Sequence, residues 1–82
     1  MSTTRDDIRR WLELGKKKGS THLIVVCDTW DWEDFPVYVE PNEDVHKIEK
    51  EHSGQNMQKI MEVYNISKDW ETQIKEGRSF NY

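Results

Sequence analysis

Cysteine occurs once, at Cys27, so no internal disulfide is available, and a reducing cytoplasm is the simplest setting. No apolar run approaches the roughly 20 residues of a membrane-spanning helix. The opening Met1-Ser2-Thr3-Thr4-Arg5-Asp6-Asp7 carries no apolar core of a secretory signal. A cytoplasmic location with no membrane role is therefore expected. Basic residues are outnumbered, 12 Lys and Arg against 16 Asp and Glu, and the only basic run is Lys16-Lys17-Lys18. A nucleic-acid binder normally shows a basic stripe, so direct nucleic-acid binding is disfavoured. There is no Ser-His-Asp signature, phosphate-binding loop or dinucleotide fingerprint, and His22, His46 and His52 do not follow metal-ligand spacing. No catalytic residue, metal ligand or cofactor is expected, and the chain reads as a non-enzyme. Repeats, low-complexity tracts and linkers are also missing, and 82 residues make one domain, 1–82.

What the chain does have is concentrated in one stretch. Leu23-Ile24-Val25-Val26-Cys27 is its most apolar run and reads as a strand covered on both faces, within Thr21 to Asp28. The chain then turns acidic and aromatic through Thr29 to Phe35, and Val37-Tyr38-Val39-Glu40 follows as an antiparallel partner strand. Alternation continues through the connection, so the strand is able to extend into a protruding ribbon. Pro36 lacks an N–H and belongs at a strand start or on an edge. Charge is distributed just as unevenly: residues 1–27 sum to +3, residues 28–55 to −7 and residues 56–82 to 0.

The other segments cover this hairpin. Thr3 or Thr4 caps a first helix, with Asp6 and Asp7 in its first turn and Ile8, Trp11, Leu12 and Gly15 along one face. The lysine run suits its C-terminal end, and Gly19 suits a left-handed cap. Asn42 starts a second helix with Glu43 and Asp44 in its first turn, and Val45, Ile48 and His52 form a thin stripe. Residues 58–66 match helix and strand patterns alike. Their β-branched and aromatic content, and the instability of a lone hairpin, favour a third strand. Strict alternation would put Ile60, Tyr64 and Ile66 on one side and Met61 and Val63 on the other. Asp69 caps a last short helix from Trp70 to Gly77, and Phe80 and Tyr82 are expected to pack. The fold class is α+β in the order α-β-β-α-β-α, a three-stranded mixed sheet of order 2-1-3 covered by helices.

Four carboxylates, Asp28, Asp31, Glu33 and Asp34, fall within seven residues. Their spacing matches neither a calcium-binding loop nor an aspartate-nucleophile phosphatase, where Trp30 holds the place of the second aspartate. A solvated loop or protein-binding edge outweighs metal or phosphoryl chemistry. Trp30, Trp32, Phe35 and Tyr38 beside these charges resemble interface hot spots, though about two of the four belong to the core by strand alternation. Gln55, Asn56 and Lys59, in the polar segment Gly54 to Lys59, offer further polar contacts. Cys27 reads as a small core residue with no base nearby to activate it.

The chain also resembles a family of small, mostly uncharacterised proteins encoded in bacteriophages and bacterial genomes. The likeness lies in Thr4-Arg5-Asp6-Asp7-Ile8-Arg9-Arg10-Trp11-Leu12, Val25-Val26-Cys27-Asp28-Thr29 and Glu33-Asp34-Phe35-Pro36-Val37-Tyr38-Val39. It continues through Gly54-Gln55-Asn56-Met57-Gln58-Lys59, Met61-Glu62-Val63-Tyr64 and Arg78-Ser79-Phe80-Asn81-Tyr82. This resemblance implies a small cytoplasmic protein of phage or mobile-element origin and supplies no catalytic residue. The leading expectation is a non-catalytic protein that binds a host protein and modulates it, as a counter-defence inhibitor would. Its surface would be Asp28, Trp30, Asp31, Trp32, Glu33, Asp34, Tyr38, Gln55, Asn56 and Lys59. The alternative is a homodimeric sponge for a small nucleotide-like ligand, and behind it a divalent-metal-dependent enzyme.

Overall fold

β1 (His22–Asp28) forms the centre of the molecule. Leu23 through Cys27 are all buried, so neither face of the strand reaches water, as the uninterrupted apolar run requires. The computed structural model describes residues 3–53, 57–76 and 79–82. Around β1 the chain places α1 (Arg5–Lys18), β2 (Glu33–Val39), α2 (Val45–His52), β3 (Gln58–Asn65) and α3 (Trp70–Lys75). The α+β class, the element order and the strand order β2-β1-β3 are those read from the sequence.

The three strands are antiparallel rather than mixed. β2 and β3 run parallel to each other, but β1 lies between them and pairs antiparallel with both. Among the described residues, the parallel pairing is a single bridge between Val63 and Phe80 on the other side of β3. There Val63 N donates to Ser79 O at 2.7 Å and Asn81 N donates to Val63 O at 2.9 Å. β2 begins at Glu33, earlier than the expected Val37, so the ribbon does run into the acidic segment. Pro36 sits opposite Val25 in this edge strand, where a missing N–H is tolerated.

Helices cover the two faces unequally. Ile8 and Leu12 of α1 and Ile74 of α3 pack with Leu23, Val25, Tyr64 and Ile66 on one face, which we call the inner face. On the opposite face Val45 of α2 packs with Ile24, Val26, Val39 and Val63, and Phe35, Val37, Ile48 and Ile60 flank them. Strict alternation in β3 fails because the register shifts between Val25 and Val26: Val25 faces Glu62, Val26 faces Ile60, and Met61 is the extra residue. This bulge moves Met61 onto the inner face with Tyr64 and Ile66, and leaves Ile60 with Val63 on the other.

Local signals set the helix ends. Thr4 and Asp7 form a reciprocal capping box, and Gly19 closes α1 at φ 79°. Two of the lysines lie on aromatic rings: Lys18 Nζ is 4.3 Å from the Tyr38 centroid and Lys16 Nζ 5.8 Å from that of Trp70. Asp44 rather than Asn42 caps α2, its carboxylate accepting from His46 N at 2.9 Å. That moves Asp44 out of the helix and leaves Glu43 to accept from Glu40 N. In α3, the buried Gln73 acts as a further strand for β3. Its Oε1 accepts from Asn65 N at 2.7 Å and its Nε2 donates to Asn65 O at 2.9 Å, pairing backbone groups that would otherwise be buried alone. Tyr82 stacks on His46 at 4.3 Å between centroids and donates its hydroxyl to Glu49.

α1 approaches the sheet closely only because Gly15 has no side chain. A Cβ there would lie 2.7 Å from Ile66 Cδ1 and 2.9 Å from Tyr38 Cε1. The Tyr38 ring has little room to yield, because its hydroxyl donates to Trp11 O at 2.9 Å. Gly15→Ala is expected to destabilise the protein by about 1 kcal/mol, since an overpacking cost of about 1–3 kcal/mol outweighs a gain in helix propensity of about 1 kcal/mol. Urea unfolding should show a lower midpoint at unchanged slope, and a smaller loss in a Tyr38→Leu background.

Three carboxyls are held below their ordinary values: Asp7 chiefly by hydrogen bonding to the Thr4 backbone, Asp69 by the Thr72 hydroxyl, and Glu71 by the Arg9 guanidinium. Arg9 donates to both Glu71 oxygens at 2.8 Å and so ties α1 to α3. A carboxyl with a depressed folded value contributes stability above its unfolded value, and that contribution is lost as pH falls through the folded one. The thermal midpoint should therefore fall on acidification below the usual carboxylate range. Asp7→Asn and Glu71→Gln should each flatten that fall.

Candidate functional site

At one end of the sheet, residues 29–32 join β1 to β2, and the chain coming from α2 enters β3 beside them. Thr29 fastens the two together: its N and its Oγ1 both donate to Met57 O at 2.7 Å. Asp28 braces the turn, its carboxylate accepting from Trp30 N at 2.9 Å, the side-chain-to-backbone contact that aspartate favours in turns. Above this base stand three large apolar side chains, Trp30 at 72%, Trp32 at 66% and Met57 at 53% exposure.

Two of the three are held in unfavourable backbone conformations. Trp32 has φ 56° and Met57 φ 61°, the left-handed region that bulky residues seldom occupy. Each costs about 1–2 kcal/mol relative to right-handed backbone. Neither side chain recovers that cost by burial.

The carboxylates counted together in the sequence separate in space. Asp28 is engaged with the turn. Asp34 stands opposite Cys27 on the inner face and accepts from Thr3 Oγ1 at 2.6 Å. Asp31 and Glu33 remain exposed at the tip, and no described residue bonds or pairs with either carboxylate. Of the four aromatics, Phe35 and Tyr38 pack against the two cores while Trp30 and Trp32 stay outside; two of the four are core, as expected, but the division is between strand and turn rather than between the two faces of one strand. Tyr38 thus leaves the proposed surface: it lies beneath α1, and burial pushes its phenol up. Lys59 is exposed opposite Cys27, and Gln55 and Asn56 lie outside the described residues.

Met57 is a tip residue that the sequence analysis does not single out. Its signal is topological, because a third strand paired with β1 must begin beside the β1–β2 turn. Cys27 is buried beneath this end of the sheet, and burial, then Asp34, pushes its thiol up and away from nucleophilic use. Among the described residues no three of His, Cys, Asp and Glu gather as a metal-ligand set. What the tip offers is two indole planes, a thioether and two carboxylates unpaired among the described residues, a set suited to contact rather than to bond-making.

Comparison with protein-family models, with curated proteins and with solved structures finds no match for this chain.

If Trp32 serves the fold, shortening it should unfold the protein; if it serves contact, the fold should not suffer. Trp32→Gly is expected to leave unfolding free energy unchanged or to raise it by up to about 1 kcal/mol, since relief of the left-handed conformation outweighs glycine's larger backbone entropy. Thermal and urea unfolding check this, and a loss above about 1 kcal/mol would show that the indole packs.

Proposed function

We propose that this chain is a small non-catalytic binding protein that grips a partner protein with the tip formed by Trp30, Trp32 and Met57. The observation that carries this reading is the pair of strained, exposed residues. Backbone strain that stability does not repay is retained where function uses it, and Trp is the side chain most enriched among interface hot spots. Asp31 and Glu33, exposed beside the indoles, specify the partner's chemistry: an apolar slot bordered by Lys or Arg. The same charges oppose a phosphate backbone or an anionic membrane. The resemblance to phage-encoded proteins supports a host protein in the cytoplasm as that partner, and modulation of its activity as the outcome.

Native mass spectrometry of the protein purified gently from bacterial lysate tests this reading. The parent chain should carry a stoichiometric polypeptide. Trp30→Ser and Trp32→Ser should each weaken the complex by about 2 kcal/mol, roughly thirtyfold. Charge reversal at Asp31 and Glu33 should slow association and remove its dependence on salt. A bare chain under these conditions, or a complex indifferent to all four substitutions, would sink the proposal.

A further inference from the structure

The inner face of the sheet is apolar beneath α1 and α3 except at one corner. There Asp34 of β2 and Lys59 of β3 flank Cys27, and Glu62 of β3 sits opposite Val25, on the face that elsewhere presents Leu23, Tyr64 and Ile66. The two carboxylates border a cleft of about 310 Å³ whose apolar wall includes Ile8, Met61 and Ile74, with the exposed Arg5 also lining it. The β3 bulge brings Met61 and Glu62 to this face together, and bulges often re-aim side chains beside binding sites. Carboxylates at core-face register positions break the apolar pattern of the sheet, and such breaks concentrate at functional sites.

Among the described residues neither carboxylate forms an ion pair, with Lys59 or with any other cation. The ion pairs of the described residues are Arg9 with Asp6, Arg9 with Glu71 and Arg10 with Asp7, all elsewhere. Asp34 accepts from Thr3 Oγ1 at 2.6 Å and lies by the Cys27 thiol. Glu62 accepts a long bond from Ser79 N at 3.4 Å and neighbours the buried Tyr64 hydroxyl. A carboxylate has about four acceptor sites, so both keep capacity towards the cleft. Arg5 likewise has no ion-pair partner among the described residues. A ligand that satisfies all three groups carries a compact multi-donor cation, a planar anion for the guanidinium fork and an aliphatic body for the wall. The cleft volume falls at the lower end of the roughly 300–1,000 Å³ of small-molecule sites.

We propose that this cleft binds the zwitterion of a small aliphatic α-amino acid. The ammonium group is held by Asp34 and Glu62, the carboxylate is met by Arg5, and the side chain rests on Ile8, Met61 and Ile74. This site is separate from the indole tip and does not depend on it.

Methyl-resolved NMR titration with three probes tests the assignment: L-leucine, L-leucinamide, which lacks the carboxylate, and isocaproate, which lacks the ammonium. Leucine should shift the Ile8, Met61 and Ile74 methyls saturably in the millimolar range or below, with each truncated probe at least roughly tenfold weaker. The near-isosteric Glu62→Gln and Asp34→Asn should each weaken leucine by roughly tenfold or more. No saturable shift with leucine would overturn the proposal. So would equal binding of either truncated probe, or unchanged leucine binding in both variants. The probe series on the unmodified chain decides the matter even where a variant fails to fold.

Discussion

A strand that is apolar on both faces must be covered twice, and in a chain of this length that demand governs everything else. Five consecutive residues of β1 are buried, and each of the four aliphatic side chains among them gains about 1.5–3 kcal/mol by leaving water. The gain exists only if α1 and α3 close one face and α2 the other. Neither layer is thick. The inner face closes because α1 comes within contact of Tyr38 and Ile66 at Gly15, and because Gln73 lends its amide to the end of β3. The outer face closes around a short helix with a single buried valine.

Against this economy the tip stands out as the place where local and global preferences disagree. At the helix ends and the sheet edge the choices are consistent: caps at helix starts, glycine at the left-handed close of α1, a proline on an edge. At the tip, two bulky residues occupy backbone suited to glycine and hold their side chains in water. Consistency across levels is what folding selects, so an inconsistency that persists points to a different demand. The cleft carboxylates, Asp34 and Glu62, are a second break of the same kind.

The sheet order was readable because one run, Leu23 to Cys27, is apolar without interruption and could only be central. The pairing of β3 was readable from β-branched content together with the weakness of a lone hairpin. What the sequence could not show is parity. A bulge adds one residue and exchanges every side chain beyond it, so Ile60 and Val63 share a face that strict alternation would deny them. Parity also divides the acidic cluster: once β2 is known to start at Glu33, Asp34 joins Pro36 and Tyr38 on the inner face, apart from Glu33. Four carboxylates in seven residues thus look like one site in the sequence and form three surroundings in space. The cap of α2 moved from Asn42 to Asp44 for a related reason, since both residue types cap well and only the packing of Val45 selects between them.

Pro36 has a consequence for assembly. Open strands recruit further strands, and a sheet of three with free margins is a seed for fibrous growth. Here one margin is interrupted at its midpoint by a residue with no hydrogen to offer, and the other is partly occupied at Val63 by Ser79 to Asn81. Extension by strand addition is therefore discouraged on both flanks. Whatever macromolecule attaches to this chain is directed to side chains rather than to its backbone, which favours recognition by shape and charge over templated polymerisation.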